Sequence, residues 1–366
     1  MNDLNPFLQI GLSGFRMEKR VNSGIGGQAV IEGIMMRNKD RYSISVRKPD
    51  GVIVTKTEPV KGGSREGTWK NIPFIRGIFV FVDSLVTGMQ CLMYSADFFM
   101  EEDDEEKAAR AEKEKGLTKE EIEKLRAKQE KQESAAMTGV LILSFVLAIG
   151  IFMILPYFVS SFLGKWITSR WALSALEAVI RIVFFLIYIV AISKMKDIER
   201  TFMYHGAEHK CINCLETGHE LTVENVLASS RLHKRCGTSF LFYVIVVSII
   251  FIMFIQVDSH ILKIVIRLAL IPLIAGTAYE IIRLAGSSDN KFVNLLSKPG
   301  MGLQKMTTKE PDASMAEVGI ASVEAVFDWK AFLAENFGYD FSGDEKTEET
   351  KKTVQEDKEE IKEIND

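Results

Sequence analysis

Apolar residues along this chain gather in four runs, 137–163, 171–193, 238–257 and 261–285. Each is long enough to cross about 30 Å of hydrocarbon, which takes roughly 20 helical residues. Leu, Ile, Val and Phe dominate all four, so they are read as transmembrane helices even where a proline or a charge interrupts them. The connecting loops set the orientation. Residues 194–237 carry Lys194, Lys196, Arg200, Lys210, Arg231, Lys234 and Arg235, whereas 164–170 holds Lys165 and Arg170, and the last turnaround has only Lys263 at its edge. Positive charge is retained on the cytoplasmic side. A multi-pass cell-membrane protein with the 194–237 loop and both termini in the cytoplasm is expected. Residues 1–28 show no apolar core of a cleaved signal peptide.

Outside those runs the pattern changes. Two β-branched stretches, 42–47 and 52–57, are joined through Pro49-Asp50-Gly51 and predict a β-hairpin. The glycine-punctuated segment 25–37 is expected to add a third strand, because two strands alone are marginal in water. Residues 72–100 are apolar but broken by Arg76, Asp83 and Asp97, which suits a helix lying on the bilayer, re-entering it or packing on the bundle. Residues 101–133 hold thirteen acidic and nine basic side chains, and Thr118 with Glu121 makes a capping box, so part of 101–136 should be a solvated helix. After the fourth run, 311–333 has helical spacing. Residues 341–366 read as a disordered acidic tail. The expected fold class is an α+β membrane protein: a small cytoplasmic β-containing domain (1–71), a four-helix transmembrane bundle, and a cytoplasmic segment 286–340.

Composition adds mostly exclusions. A net charge of −4 says little, and no basic stretch interleaved with aromatics marks a nucleic-acid partner. The bilayer is the expected partner; the charged insert and tail are candidate arms for protein partners, and a homo-oligomer is compatible with the pattern. Cysteines on the cytoplasmic side stay reduced, so they read as metal ligands or core residues rather than disulfides.

The chemistry concentrates between 205 and 236, where four of the five histidines and three of the four cysteines lie. His205-Gly206-Ala207-Glu208-His209 is an H-x-x-E-H pattern. On a helix the two histidines share a face, with Glu208 beside them. A divalent metal held there, zinc by choice of ligand, lowers the pKa of a water that Glu208 then deprotonates. A solvated polar face beside a membrane helix has the same look. Two ligand sets compete. An open set uses His205 and His209 with a third ligand from Glu224, His233, Cys236 or Glu280; a closed set uses Cys211, Cys214, His233 and Cys236. The open set is favoured, since only there does Glu208 have a task as general base. Residues 171–204 lack proline and glycine, so one helix is expected to carry the site about 24 Å past Ser193, at 1.5 Å per residue. Within the spans, Glu177, Arg181 and Arg267 read as a structural ion-pair cluster. Glu280 is placed near the inner leaflet, where Pro272 and Gly276 are expected to kink its helix towards the site.

The strings GGQAVIEGIMMR (26–37), YHGAEHK (204–210), LTVEN (221–225), HKRCGTSF (233–240), YEIIRLAG (279–286) and TTKEPD (307–312) closely resemble the YqhQ-like family of bacterial membrane proteins. The resemblance implies a metal-dependent enzyme and names no substrate. His205, Glu208, His209, His233 and Cys236 fall on the shared strings, while Cys211 and Cys214 stand apart from the signature and the insert 101–133 is longer than the pattern. The expected function is a zinc-dependent hydrolase acting at the cytoplasmic membrane face on a peptide or lipid-linked substrate. The alternative is a non-catalytic membrane assembly factor or scaffold with a structural metal.

Overall fold

The computed structural model describes residues 20–60, 72–99, 119–167, 169–255, 257, 259–287 and 290–341. The expectations for the start of the chain, the first part of the charged insert and the acidic tail fall outside these residues.

Four strands form an antiparallel meander: β1 (Gly26–Val30), β2 (Gly33–Asn38), β3 (Arg41–Arg47) and β4 (Ile53–Pro59). The hairpin through Asp50 and Gly51 is as expected, with Gly51 in the left-handed region. Segment 25–37 supplies two strands rather than one, because Glu32 also adopts a positive φ of 48° and turns the chain back on itself. The pleat sends Ile34 and Met36 to one face and Met35 to the other. Both faces are covered, which is why four consecutive residues of β2 are buried.

Twelve α-helices follow in the described residues: α1 (Ile75–Ala96), α2 (Lys119–Ile149), α3 (Leu155–Leu163), α4 (Arg170–Ile192), α5 (Lys196–Glu216), α6 (Val223–Ala228), α7 (Gly237–Met253), α8 (His260–Ala269), α9 (Ile271–Ser287), α10 (Lys291–Thr307), α11 (Ala313–Glu324) and α12 (Trp329–Phe337). Three helical stretches are long and apolar enough to cross a membrane: α1, 138–166 and 171–192. A fourth is formed if α8 and α9 count as one span bent by 43°. The bend falls at Leu270, just before Pro272, whose ring cannot continue the preceding turn. Helix α7, on the third apolar run, has 17 residues. Small residues let α1 and α9 touch: a Cβ on Gly77 would lie 3.0 Å from the Cα of Gly276. Among these helices Glu177, Arg181 and Arg267 form the expected ion-pair cluster, with N···O distances of 2.9 and 2.8 Å.

Two other expectations are corrected, and one helix has no counterpart in the sequence reading. The second apolar helix does not run on to the histidines. It ends at Ile192, and α5 starts afresh after Met195, whose extended backbone breaks the axis. The predicted helix 311–333 is two, α11 and α12, separated where the Asp328 carboxylate caps the second by accepting the Ala331 N–H. Helix α10 lay unread in 291–307, with Pro299 inside it. Helix α5 is held between the sheet and α11, where Tyr204, Ile212, Leu215, Ile34, Met36, Met315 and Val318 form one buried cluster. Burying each such side chain contributes about 1.5–3 kcal/mol. That core fixes the helix carrying the H-x-x-E-H pattern.

Candidate functional site

Three segments meet on the polar face of α5. Helix α5 presents His205, Glu208 and His209. The chain between α6 and α7 presents His233 and Cys236, and the end of α10 presents the backbone of Thr307. Gly206 allows this convergence, since a Cβ there would lie 2.0 Å from the Lys309 carbonyl oxygen. The crossing is tied by the Lys309 N–H donating to Phe202 O (2.8 Å) and by Glu310, which lies 3.0 Å from both Lys210 and Arg231.

Ligand atoms of His205, His209 and Cys236 all lie within 4.8 Å of one another. His205 Nδ1 is 2.9 Å from the Thr307 carbonyl oxygen, and His209 Nδ1 is 2.6 Å from that of Arg231. A carbonyl only accepts, so both Nδ1 atoms carry a proton and it is the Nε2 of each ring that faces the cluster. This is the orienting shell that metal-binding imidazoles use. Cys236 caps α7, with its Sγ accepting from the Thr238 N–H at 3.4 Å, and lies 3.3 Å from His205 Nε2. Burial alone would raise its thiol pKa. The imidazoles of His205 and His209 more than reverse this and hold it well below the usual thiol range, as the helix N-terminus also favours. His205 responds in kind: burial disfavours the charged ring, yet the Cys236 sulfur and the Glu208 carboxylate lift it to about 9.

Glu208 is buried with one carboxylate oxygen 3.9 Å from His205 Nε2. The Gly27 backbone lies against that side chain: a Cβ on Gly27 would sit 2.9 Å from Glu208 Cγ. Burial pushes the carboxyl up from its ordinary value, against the pull of the two histidines.

The other sequence candidates go elsewhere. His233 is buried behind His209, ring centroids 5.8 Å apart, with Nε2 3.3 Å from Glu216. Burial pushes its imidazole down to about 4 despite that hydrogen bond. Glu280 is taken by Arg76, whose Nε donates to it at 2.7 Å, and does not turn towards the histidines. Glu224 stays exposed on α6. The closed set is not assembled: Cys211 packs on Gly319 and Ile34, and Cys214 donates to the Glu220 carbonyl at 3.3 Å. Sequence reasoning missed Glu216, whose carboxylate gathers Arg20, Ser23, His233 and Arg235. Burial would raise its pKa, but His233 and the two arginines bring it down to about 2. It also missed Glu32, which pairs with Arg200 and accepts from the Tyr204 hydroxyl at 3.2 Å, pinning α5 to the β1–β2 turn.

The strings noted in the sequence thus fold together, and comparison with known proteins agrees. The family model described as "Protein of unknown function (DUF1385)" matches residues 72–329. The chain belongs to that family. It is 34% identical over 324 residues to "Uncharacterized protein YqhQ" of Bacillus subtilis (strain 168), covering 87% of this chain and 96% of that relative. This family member therefore has the relatedness that the resemblance implied. No solved structure matches it.

Proposed function

We propose that this family member is a metal-dependent hydrolase, with zinc as the expected ion, working at the cytoplasmic face of the cell membrane on a peptide or lipid-linked substrate. The observation that carries the reading is the three-ligand cluster with a buried carboxylate beside it. Two nitrogens and one sulfur suit zinc, and three protein ligands are the number that catalytic sites use, whereas structural sites close with four. His205 Nε2, His209 Nε2 and Cys236 Sγ would hold the ion. When bound, it would act as a Lewis acid towards a water and a carbonyl or phosphoryl group.

The chain's own residues do the rest. The Thr307 and Arg231 carbonyls hold the imidazoles in the ligating tautomer. Glu208 accepts the proton of the attacking water. Of the four groups, His205 is the most exposed, its side chain retaining 17% of its surface against 6% for Glu208, so substrate approaches from the His205 side. The cytoplasmic placement rests on the lysine and arginine excess of 194–237.

The test is metal content of the full chain purified in detergent. We expect about one zinc per chain, lost in His209→Ala and in Cys236→Ser. It is kept in Glu208→Gln and in the Cys211→Ser, Cys214→Ser double variant. Cobalt substitution should give a sulfur-to-metal absorption band that Cys236→Ser removes. Metal lost from the double variant but kept in His209→Ala would sink the hydrolase reading in favour of a scaffold with a cysteine-bound structural metal.

A further inference from the structure

Helix α10 has one face that the fold does not use. Residues 291–307 hold three lysines and neither aspartate nor glutamate. Ser297, Gly300, Gln304 and Thr307 form the buried face. Gly300 rests on the start of α7, where a Cβ would lie 2.9 Å from Ser239 Oγ, and the Tyr243 hydroxyl donates to the Leu296 carbonyl at 3.3 Å. The other side is uncovered. Phe292 keeps 67% of its surface, Leu295 60% and Leu296 46%, and Pro299 is exposed beside them. At 3.6 residues per turn these four share one stripe. Lys291, Lys298 and Lys305 recur at every second turn, all exposed, and form a second stripe along its flank.

An apolar stripe flanked by lysines, on a helix without an acid, is the pattern of a helix lying in the interface of an anionic bilayer. Its place in the chain agrees: α10 starts at Lys291, shortly after α9 ends at Ser287, and α9 is the second half of the bent span. We propose that the outer face of α10 docks on an anionic bilayer surface, with Phe292, Leu295 and Leu296 among the acyl chains and the three lysines against lipid phosphates. Lysine stems cover apolar surface while their ammonium groups stay at the headgroups, and anionic lipid attracts them. A second copy docked symmetrically through this face would set lysines against lysines. The opposite face of α10 serves the cluster. The Gln304 side chain accepts from the His233 N–H at 2.9 Å and donates to the His233 carbonyl at 2.7 Å, and the Thr307 carbonyl faces His205. Docking of α10 thus places the two ligand-bearing segments at the membrane surface. It rests on reading the apolar helices as spans, and not on a bound metal.

The experiment uses the full chain in nanodiscs of phosphatidylcholine, alone or mixed with phosphatidylglycerol. One spin label is attached at Leu295→Cys or, as a reference, at Glu335→Cys on the exposed side of α12; the native cysteines are all buried. Collision with oxygen reports the acyl region, and collision with a nickel chelate reports water. In mixed nanodiscs the oxygen-to-nickel ratio at 295 should exceed that at 335 several-fold. Phosphatidylglycerol should raise the ratio at 295, and Lys291→Gln, Lys298→Gln and Lys305→Gln together should abolish that gain. None of these readouts uses the metal, so the surface and the metal reading fail separately. Equal ratios at 295 and 335 would leave the face in water and overturn the proposal. Shielding of 295 from both reagents would overturn it in favour of a protein contact. No gain from phosphatidylglycerol, or a gain that survives the lysine substitutions, removes anionic lipid as the partner. A chain folded in detergent that does not enter nanodiscs removes the spans and the docking with them.

Discussion

Glu216 illustrates how far a single carboxylate can organise this protein. It is buried on α5 and takes hydrogen bonds from Ser23, His233 and two arginines, so the segment carrying Cys236 is anchored through it. Its pKa of about 2 lies below its ordinary value of 4.5, so the folded state binds this proton less readily than the unfolded chain. The stability it contributes is complete above about pH 5 and is lost as pH falls towards 2. At 1.36 kcal/mol per unit the total is on the order of 3 kcal/mol. His233 acts in the same direction: held neutral by burial with a pKa near 4, it loses stability as pH falls below about 6.5. Thermal unfolding in detergent between pH 8 and 4 should show a steady fall in melting temperature, and Glu216→Gln should flatten the part below pH 5. An unchanged slope in that variant would remove Glu216 from this role. The residue gave no sequence signal, because it lies outside the H-x-x-E-H pattern and its partners come from positions 20, 23, 233 and 235.

At the scale of elements, the crossing of α5 by residues 307–311 is the step that turns a helix with two histidines into a site. The pattern and the alternation of apolar residues made α5 and the β-hairpin legible. The strand reversal at Glu32 was not, since a single positive φ outside glycine leaves no mark in local sequence. Nor was the break after Ile192: no proline or glycine lies between 171 and 204, and the axis turns where α5 packs its core against the sheet. The crossing itself depends on Gly206. Gly206→Ala should push the Lys309 backbone away and withdraw the Thr307 carbonyl from His205. We expect a destabilisation of about 2–3 kcal/mol, as for other forced overpacking, together with weaker zinc retention. Hydrogen exchange should report the loosening at 307–311 rather than in the sheet. Normal metal affinity in a stably folded Gly206→Ala protein would mean that the Thr307 carbonyl is dispensable.

For the whole molecule, the proposed orientation puts the cluster on the cytoplasmic side, and thiol labelling tests it. Single cysteines introduced near residues 20, 220 and 340 should react with a membrane-impermeant thiol reagent only after cells are opened. Labelling of intact cells at 220 would reverse the proposed orientation and the argument from reduced thiols. The apolar helices, the hairpin, the family and the histidines and cysteines that are candidates for a site were legible in the sequence, because each is written in local periodicity or in contiguous strings. The tertiary structure decided which candidates meet. It placed Cys236 beside His205 and His209, and not Glu280, which Arg76 claims, or His233, which Glu216 claims; it kept Cys211 and Cys214 in the core. Such choices depend on chain segments separated by up to about two hundred positions, brought together by the packing of α5 against the sheet and α11, and no local pattern encodes that packing.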